Sequence, residues 1–174
     1  MINAQISDPE GYGRLSYKTL AGFLWTNAFC GEAKYVGKMD DDAFLDLDTL
    51  LHQLASKRTD TFISCPTVMR NVRPTRQNRT GSMLGKWYMG REDLPRRVYP
   101  DYCPGWLYVT TPKVGLALAE VAAQYADEVL PMAKMDDVFV TGILRERLGM
   151  SLTQMAPGLW SRVWDTSLSE CPFS

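Results

Sequence analysis

Three consecutive carboxylates, Asp40-Asp41-Asp42, follow the short segment Tyr35-Val36-Gly37-Lys38, which reads as a strand ending at the acids. Close carboxylates repel one another unless water, a cation or hydrogen bonds relieve them. At a strand end the side chains at i and i+2 point to the same side, so Asp40 and Asp42 could share one divalent ion. Hard oxygen ligands of this kind suit Mg²⁺ or Mn²⁺, ions that also hold diphosphates. The bland reading is an exposed Asp-rich turn that caps the next helix. A calcium loop fails in detail: counted from Asp40, the position that needs Gly holds Leu45 and the one that needs a bidentate Glu holds Leu51. A second acidic pair, Asp136-Asp137, opens a helix. Its carboxylates either cap that helix and match its dipole, or one of them serves as a general base facing an acceptor hydroxyl.

The elements that must position these acids follow from periodicity. Leu20, Phe23, Leu24, Asn27 and Ala28 fall at helical spacing and predict an amphipathic helix over roughly Leu15 to Phe29. Leu47, Leu50, Leu51 and Leu54 form the next stripe, with Asp46 or Asp48 as its cap and Lys57 and Arg58 at its C-terminal end. Thr61 to Cys65 reads as a buried strand, and Trp106 to Thr110 as another. Thr111-Pro112 starts a helix whose core face is Val114, Leu118, Val121 and Tyr125 and which Pro131 breaks. After Asp136-Asp137 comes a helix with Val140, Ile143 and Leu144 inward, ended by Gly149. The tail after Met150 shows little periodicity. The alternation gives an α/β class, with residues 1–174 read as a single domain and no internal repeat.

Composition is that of a globular protein: 45% apolar, 22% charged, net charge -1. No strong field argues for nucleic acid or an anionic membrane. Basic residues do gather between Arg70 and Arg97, where they could meet phosphate or form a solvated loop. The whole span from Met69 to Tyr102 is rich in Arg, Gly, Pro and aromatic residues, too long for an idle connection, and so functional or disordered. No stretch approaches a membrane span. The N-terminus lacks the basic-then-apolar pattern of a signal peptide, so the targeting segment of a secretory protein is expected outside this sequence. Cys30, Cys65, Cys103 and Cys171 are too widely spaced for a zinc knuckle; they form up to two disulfides, in any of three pairings, or stay thiols. Asn78-Arg79-Thr80 fits the N-glycosylation pattern, which with the even cysteine count leans toward an oxidising lumen.

Four islands resemble the beta-1,3-galactosyltransferase family, glycosyltransferase family 31. Tyr17-Lys18-Thr19-Leu20 followed by Trp25 and Cys30 resembles its segment before the metal site. Ala33 to Phe44 resembles its K-x-DDD-x-F signature. Lys86-Trp87-Tyr88, Tyr99-Pro100, Tyr102-Cys103-Pro104-Gly105 and Tyr108-Val109 resemble its K-W-Y…Y-P-x-Y-C-x-G…Y run. Asp136-Asp137-Val138-Phe139-Val140-Thr141-Gly142 resembles its E-D-V-x-x-G motif, with Asp in place of Glu. Order and spacing agree over roughly Leu15 to Gly149.

The resemblance implies a GT-A-type, Rossmann-like fold, Mn²⁺ (or Mg²⁺) and a UDP-sugar donor. Carried over by position, Asp42 is the direct metal ligand, Asp40 and Asp41 support the metal or the donor ribose, and Lys38 belongs to the donor side. Asp137 is the general base. Trp87, Tyr88, Tyr102, Trp106 and Tyr108 offer faces for sugar or uracil rings, Gly105 allows close backbone approach, and Asp136 joins the acceptor contacts. The implied reaction is a single inverting displacement that moves galactose or N-acetylglucosamine to a glycan hydroxyl on protein or lipid as a beta-1,3 link. The implied location is the lumenal side of the Golgi membrane, with any anchor outside this chain. The family also carries an N-terminal portion with a first nucleotide-binding strand, so the fold is expected to be incomplete on that side, with an uncovered sheet edge. The family's His metal ligand has no counterpart near Leu159 to Trp164, and His52 reads as a helix-surface residue. The alternative is an inactive, truncated relative serving as a glycan-binding or interaction module.

Overall fold

The computed structural model describes residues 15–57, 60–77 and 87–156, and the backbone of 160–162. Helices lie against a four-stranded mixed sheet whose order is β1 (Val36–Met39), β4 (Leu107–Thr110), β3 (Ile63–Cys65), β5 (Leu152–Gln154). β4 runs antiparallel to β1 and β3, with Lys38 opposite Tyr108 and Ile63 opposite Thr110, whereas β5 is parallel to β3. A second ladder pairs β2 (Ala43–Leu45) with β6 (Trp160–Arg162). Among the described residues β1 is an edge strand, paired on its β4 side alone. β4 is the centre, and all four of its residues are buried. Its side chains alternate between two cores. Tyr108 enters the large one with Phe23, Leu118 and Phe139, and Leu107 and Val109 enter a smaller one with Leu50, Leu54 and Phe62.

Helix α1 (Leu15–Phe29) has the expected bounds but a different inward face. The buried residues are Ser16, Leu20 and Phe23, and Leu24, Asn27 and Ala28 are exposed. Ser16 Oγ donates to the Ala133 carbonyl at 2.7 Å, which turns the polar end of the helix inward and rotates Leu24 out. In α2 (Leu47–Ala55) the Asp46 carboxylate accepts from Thr49 N at 3.0 Å, so Asp46 is the cap. Leu50 and Leu54 face the core and His52 is exposed, but Leu47 and Leu51 stay outside. Helix α3 (Pro112–Gln124) starts at the Thr111 cap as expected. It ends at Tyr125, before Pro131, and α4 (Ala126–Val129) with a 3₁₀ turn at Leu130–Met132 follows. The last helical stretch is a π-helix over Val138–Leu144, buried throughout, that continues into α5 (Arg145–Arg147). Gly149 follows at φ 65°, the left-handed position that ends helices.

The described parts of the long arginine-rich span are ordered. Met69 and Tyr102 exchange backbone bonds at 2.8 and 3.2 Å, and Thr75 bridges to Tyr88. The Arg76 guanidinium donates to four carbonyls, those of Met89, Gly90, Leu94 and Arg96, and ties the span together. Cys65 at the end of β3 is disulfide-bonded to Cys103. Cys30 is a free thiol, and Cys171, Arg58 and the Asn78 acceptor triplet lie outside the described residues.

Gly115 marks the closest approach of α3 to α1, since a Cβ there would meet the Phe23 ring at 2.9 Å. We expect Gly115→Ala to destabilise the protein by about 1–3 kcal/mol through overpacking. Gly22→Ala, on α1 with open space around it, is expected to stabilise by up to about 1 kcal/mol through helix propensity. Urea unfolding of the two variants checks both signs.

Candidate functional site

The two acidic motifs meet where β1 ends beside the start of β4. Asp40 N donates to the Trp106 carbonyl at 3.3 Å, which fixes the first acid next to the Gly105-Trp106 turn. Lys38, one turn of the pleat earlier, points to the same side. Its ammonium lies 2.5 Å from Asp40 Oδ1, 3.5 Å from Asp136 Oδ2 and 3.0 Å from the Gly105 carbonyl, to which it donates. A Cβ at Gly105 would sit 2.8 Å from Lys38 Nζ and would push the ammonium out of its present position.

Asp136 and Asp137 stand at the head of the π-helical stretch. Asp136 is buried and also accepts from Thr19 Oγ1 at 3.4 Å. Asp137 accepts from Val138 N at 2.8 Å through Oδ1 and from Gly105 N at 3.3 Å through Oδ2. The Gly105 peptide therefore joins the two motifs, with Lys38 on its carbonyl and Asp137 on its N–H. Behind it, the Thr141 hydroxyl accepts from Cys103 N at 2.8 Å. That hydroxyl lies 2.7 Å from the Asp137 carbonyl and 3.0 Å from the Cys103 carbonyl, which compete for its one proton. The disulfide to β3 anchors Cys103 in turn. Gly142 stands one position further along than the motif spacing places its glycine, inside the π-helix, a form frequent at functional sites. It packs against Pro100 and Tyr102, with a would-be Cβ 3.3 Å from each.

Burial is the main reason that the Asp137 carboxyl is pushed up to about 6; the charge of Asp136 adds to it, and the Val138 and Gly105 amides and Lys38 oppose it. Burial pulls the Lys38 ammonium down, but Asp136, Asp40 and Asp137 together outweigh it and hold Lys38 above its ordinary value. Burial and the nearby Asp136 and Asp137 raise the Tyr108 phenol well above its usual range.

These groups open onto a cleft of about 390 Å³ lined by Lys38, Asp40, Asp136, Asp137, Gly105 and Trp106, with Trp87, Tyr99, Tyr102 and Arg73 around them. Of the expected aromatic faces, Trp87, Tyr102 and Trp106 reach the cleft. Tyr88 does not line it; it lies under Lys134, with the ammonium 5.9 Å from its ring centre. Tyr108 is fully buried in the core, so it is no sugar platform: on central β4 its side is the core side. Asp41 is exposed and Asp42 is partly buried on the turn beyond β1, and neither lines the cleft. Sequence reading missed Arg73 and Tyr99, because their placement depends on how the long span folds back over β4.

A divalent cation fits the donor set in one mode. Among the described residues no three His, Cys, Asp or Glu side chains gather to hold a metal. Asp42 Oδ1, however, is a buried oxygen with no hydrogen-bond partner among the described residues, an arrangement that leaves it open to a cation. One or two carboxylates completed by water and phosphate oxygens is the usual manner of Mg²⁺-type binding, and Asp42 with Asp40 supplies that many.

The family described as Galactosyltransferase matches residues 1–156. The chain is 32% identical over 146 residues to "Beta-1,3-galactosyltransferase 5" of Pan paniscus, covering 84% of this chain and 45% of that protein. It is 31% identical to the Homo sapiens protein of the same name, over 83% of this chain and 43% of that one. It is 29% identical to "Beta-1,3-galactosyltransferase 1" of Mus musculus, over 81% and 40%. The chain thus spans less than half the length of these curated relatives.

A carboxyl raised from 3.8 to about 6 on folding binds its proton more tightly in the folded state. Stability is then expected to fall as pH rises from about 4 to about 6, with a penalty on the order of 3 kcal/mol above that range. Asp137→Asn removes the ionisation but keeps only one carbonyl acceptor for the Val138 and Gly105 amides. It is expected to stabilise the fold at pH 8 and to lower stability near pH 4 by about 1 kcal/mol for the lost amide bond, as read by thermal or urea unfolding at the two pH values.

Proposed function

Since this chain belongs to the galactosyltransferase family, we propose that it is part of the catalytic region of an inverting hexosyltransferase with a GT-A-type fold. In this reading it moves galactose or N-acetylglucosamine from a UDP-sugar to a glycan hydroxyl on protein or lipid, forming a beta-1,3 link. The observation that carries the proposal is the single peptide, Gly105, held by Lys38 on one side and Asp137 on the other. It brings an acid of the strand-end triplet and a buried, raised carboxylate to one cleft.

Asp137 is the base. A carboxylate that titrates at about 6 is ionised at neutral pH yet basic enough to take a hydroxyl proton as that oxygen attacks the anomeric carbon. Its two amide donors hold it in one orientation. Asp136 and Asp40 hold Lys38 between them, and Lys38 keeps the cluster of acids from repelling itself apart. Trp87, Tyr102 and Trp106 offer apolar faces to sugar rings. Asp42 and Asp40 would hold Mn²⁺ or Mg²⁺, with Asp41 and Lys38 on the donor side. Such an ion, when bound, neutralises charge on a leaving diphosphate. The Cys65–Cys103 disulfide supports a lumenal, oxidising compartment such as the Golgi. Among the described residues no helix is long and apolar enough to cross a membrane.

The test is UDP release from UDP-galactose and UDP-N-acetylglucosamine with Mn²⁺ and a panel of acceptors. Release is expected to require the metal, to fall roughly 10²–10⁴-fold in Asp137→Asn, and to rise with pH through an acid limb near the Asp137 value of about 6. Unchanged release in Asp137→Asn removes the base assignment. A wild type that releases nothing but still binds saccharide favours the inactive, glycan-binding relative.

A further inference from the structure

Five of the described basic residues between Arg70 and Arg97 have no role in the transfer step proposed above, yet they gather in one place. Arg73, Arg76, Arg91, Arg96 and Arg97 line one groove of about 480 Å³ with Pro74 and Val98, and no acidic side chain lines it. Two of the five are committed. Arg76 binds four loop carbonyls, and Arg96 lies 2.7 Å from Glu146. Arg73, Arg91 and Arg97 are exposed and have no carboxylate partner among the described residues. Gathered like charges without counter-charges raise the local potential and draw in anions. The guanidinium fork matches the oxygens of carboxylate and sulfate in two-point fashion. A solvated basic loop accounts for the exposure, but these arginines sit on backbone that Arg76 itself fixes. Arg73 lines the transfer cleft as well as the groove, so the two meet at that residue.

We infer that the groove is an acceptor subsite for an anionic saccharide, one that carries a carboxylate or a sulfate. The reacting hydroxyl sits at Asp137 and the charged group rests on Arg73, Arg91 and Arg97. The inference rests on the transfer reading for the direction of the chain through Arg73. The competing anion is the donor diphosphate, whose expected place is the Lys38 and Asp40 end of the cleft.

Binding and transfer are measured on the same protein with a glucuronate-terminated disaccharide, a sulfated galactosyl disaccharide and the neutral counterpart of each. The charged saccharides are expected to bind about tenfold or more tightly, with the preference shrinking as ionic strength rises. The two charged probes show whether carboxylate or sulfate is the better fit. Replacing both Arg91 and Arg97 by Gln is expected to lower that preference about tenfold, and replacing both by Lys to keep part of it, since Lys retains the charge without the two-point fork. The KM for the UDP-sugar should stay at the wild-type value. Equal binding of charged and neutral saccharides overturns the inference even where transfer is intact. So does a raised UDP-sugar KM with the acceptor preference unmoved, which assigns the groove to the diphosphate. If the wild type releases no UDP, the transfer reading fails by itself and the binding preference still decides the groove. A thermal unfolding midpoint equal to that of the wild type shows that the variants are folded.

Discussion

One ammonium group stands among three carboxylates, and the site is arranged around that imbalance. Lys38 touches Asp40 and Asp136 directly and acts on Asp137 through charge and through the shared Gly105 peptide. One cation stands against three acids, of which Asp136 is buried and Asp40 is partly open to the cleft. Asp137, the acid that Lys38 does not touch, is held up at about 6, by its burial first and by the charge of Asp136 second. At the triplet, the buried Asp42 oxygen has no hydrogen-bond partner among the described residues.

The geometry that keeps these charges close comes from elements distant in sequence. β1 and β4 bring Lys38 beside Tyr108, and the turn before β4 supplies Gly105. The disulfide ties Cys103 to β3, and Thr141 ties the same residue to the π-helix that carries Asp137. Both ties hold Cys103, two residues before Gly105, and a Cβ at Gly105 would displace the Lys38 ammonium. Arg76 does for the long span what the disulfide does for the turn, replacing absent regular structure by four bonds from one rigid group.

Much of the fold was legible because its helices carry apolar residues at helical spacing or are flanked by clear stops. The bounds of α1, the start of α3 and the glycine stop at Gly149 follow from spacing, capping residues and backbone freedom. The errors have physical causes as well. Ser16 displaced Leu24 from the inner face of α1 because a long-range bond to Ala133 satisfied a buried hydroxyl. β2, β5 and β6 have three residues each and no periodicity to detect, and pairing with distant strands is what makes them strands. Tyr108 looked like one more aromatic of a sugar platform, but a central strand buries both of its faces.

By itself the sequence determined the acidic chemistry, its two motifs and the family whose pattern they follow, because residue type and local order are written in the chain. The tertiary structure decided which acids meet. Asp40, Asp136 and Asp137 share Lys38 and one cleft, while Asp41 and Asp42 are not among its lining residues. It also decided that Cys65 pairs with Cys103 and that five arginines of an irregular span face one groove. Those outcomes depend on distances between residues far apart in sequence, which local spacing does not encode and only the pairing of β1, β3 and β4 fixes.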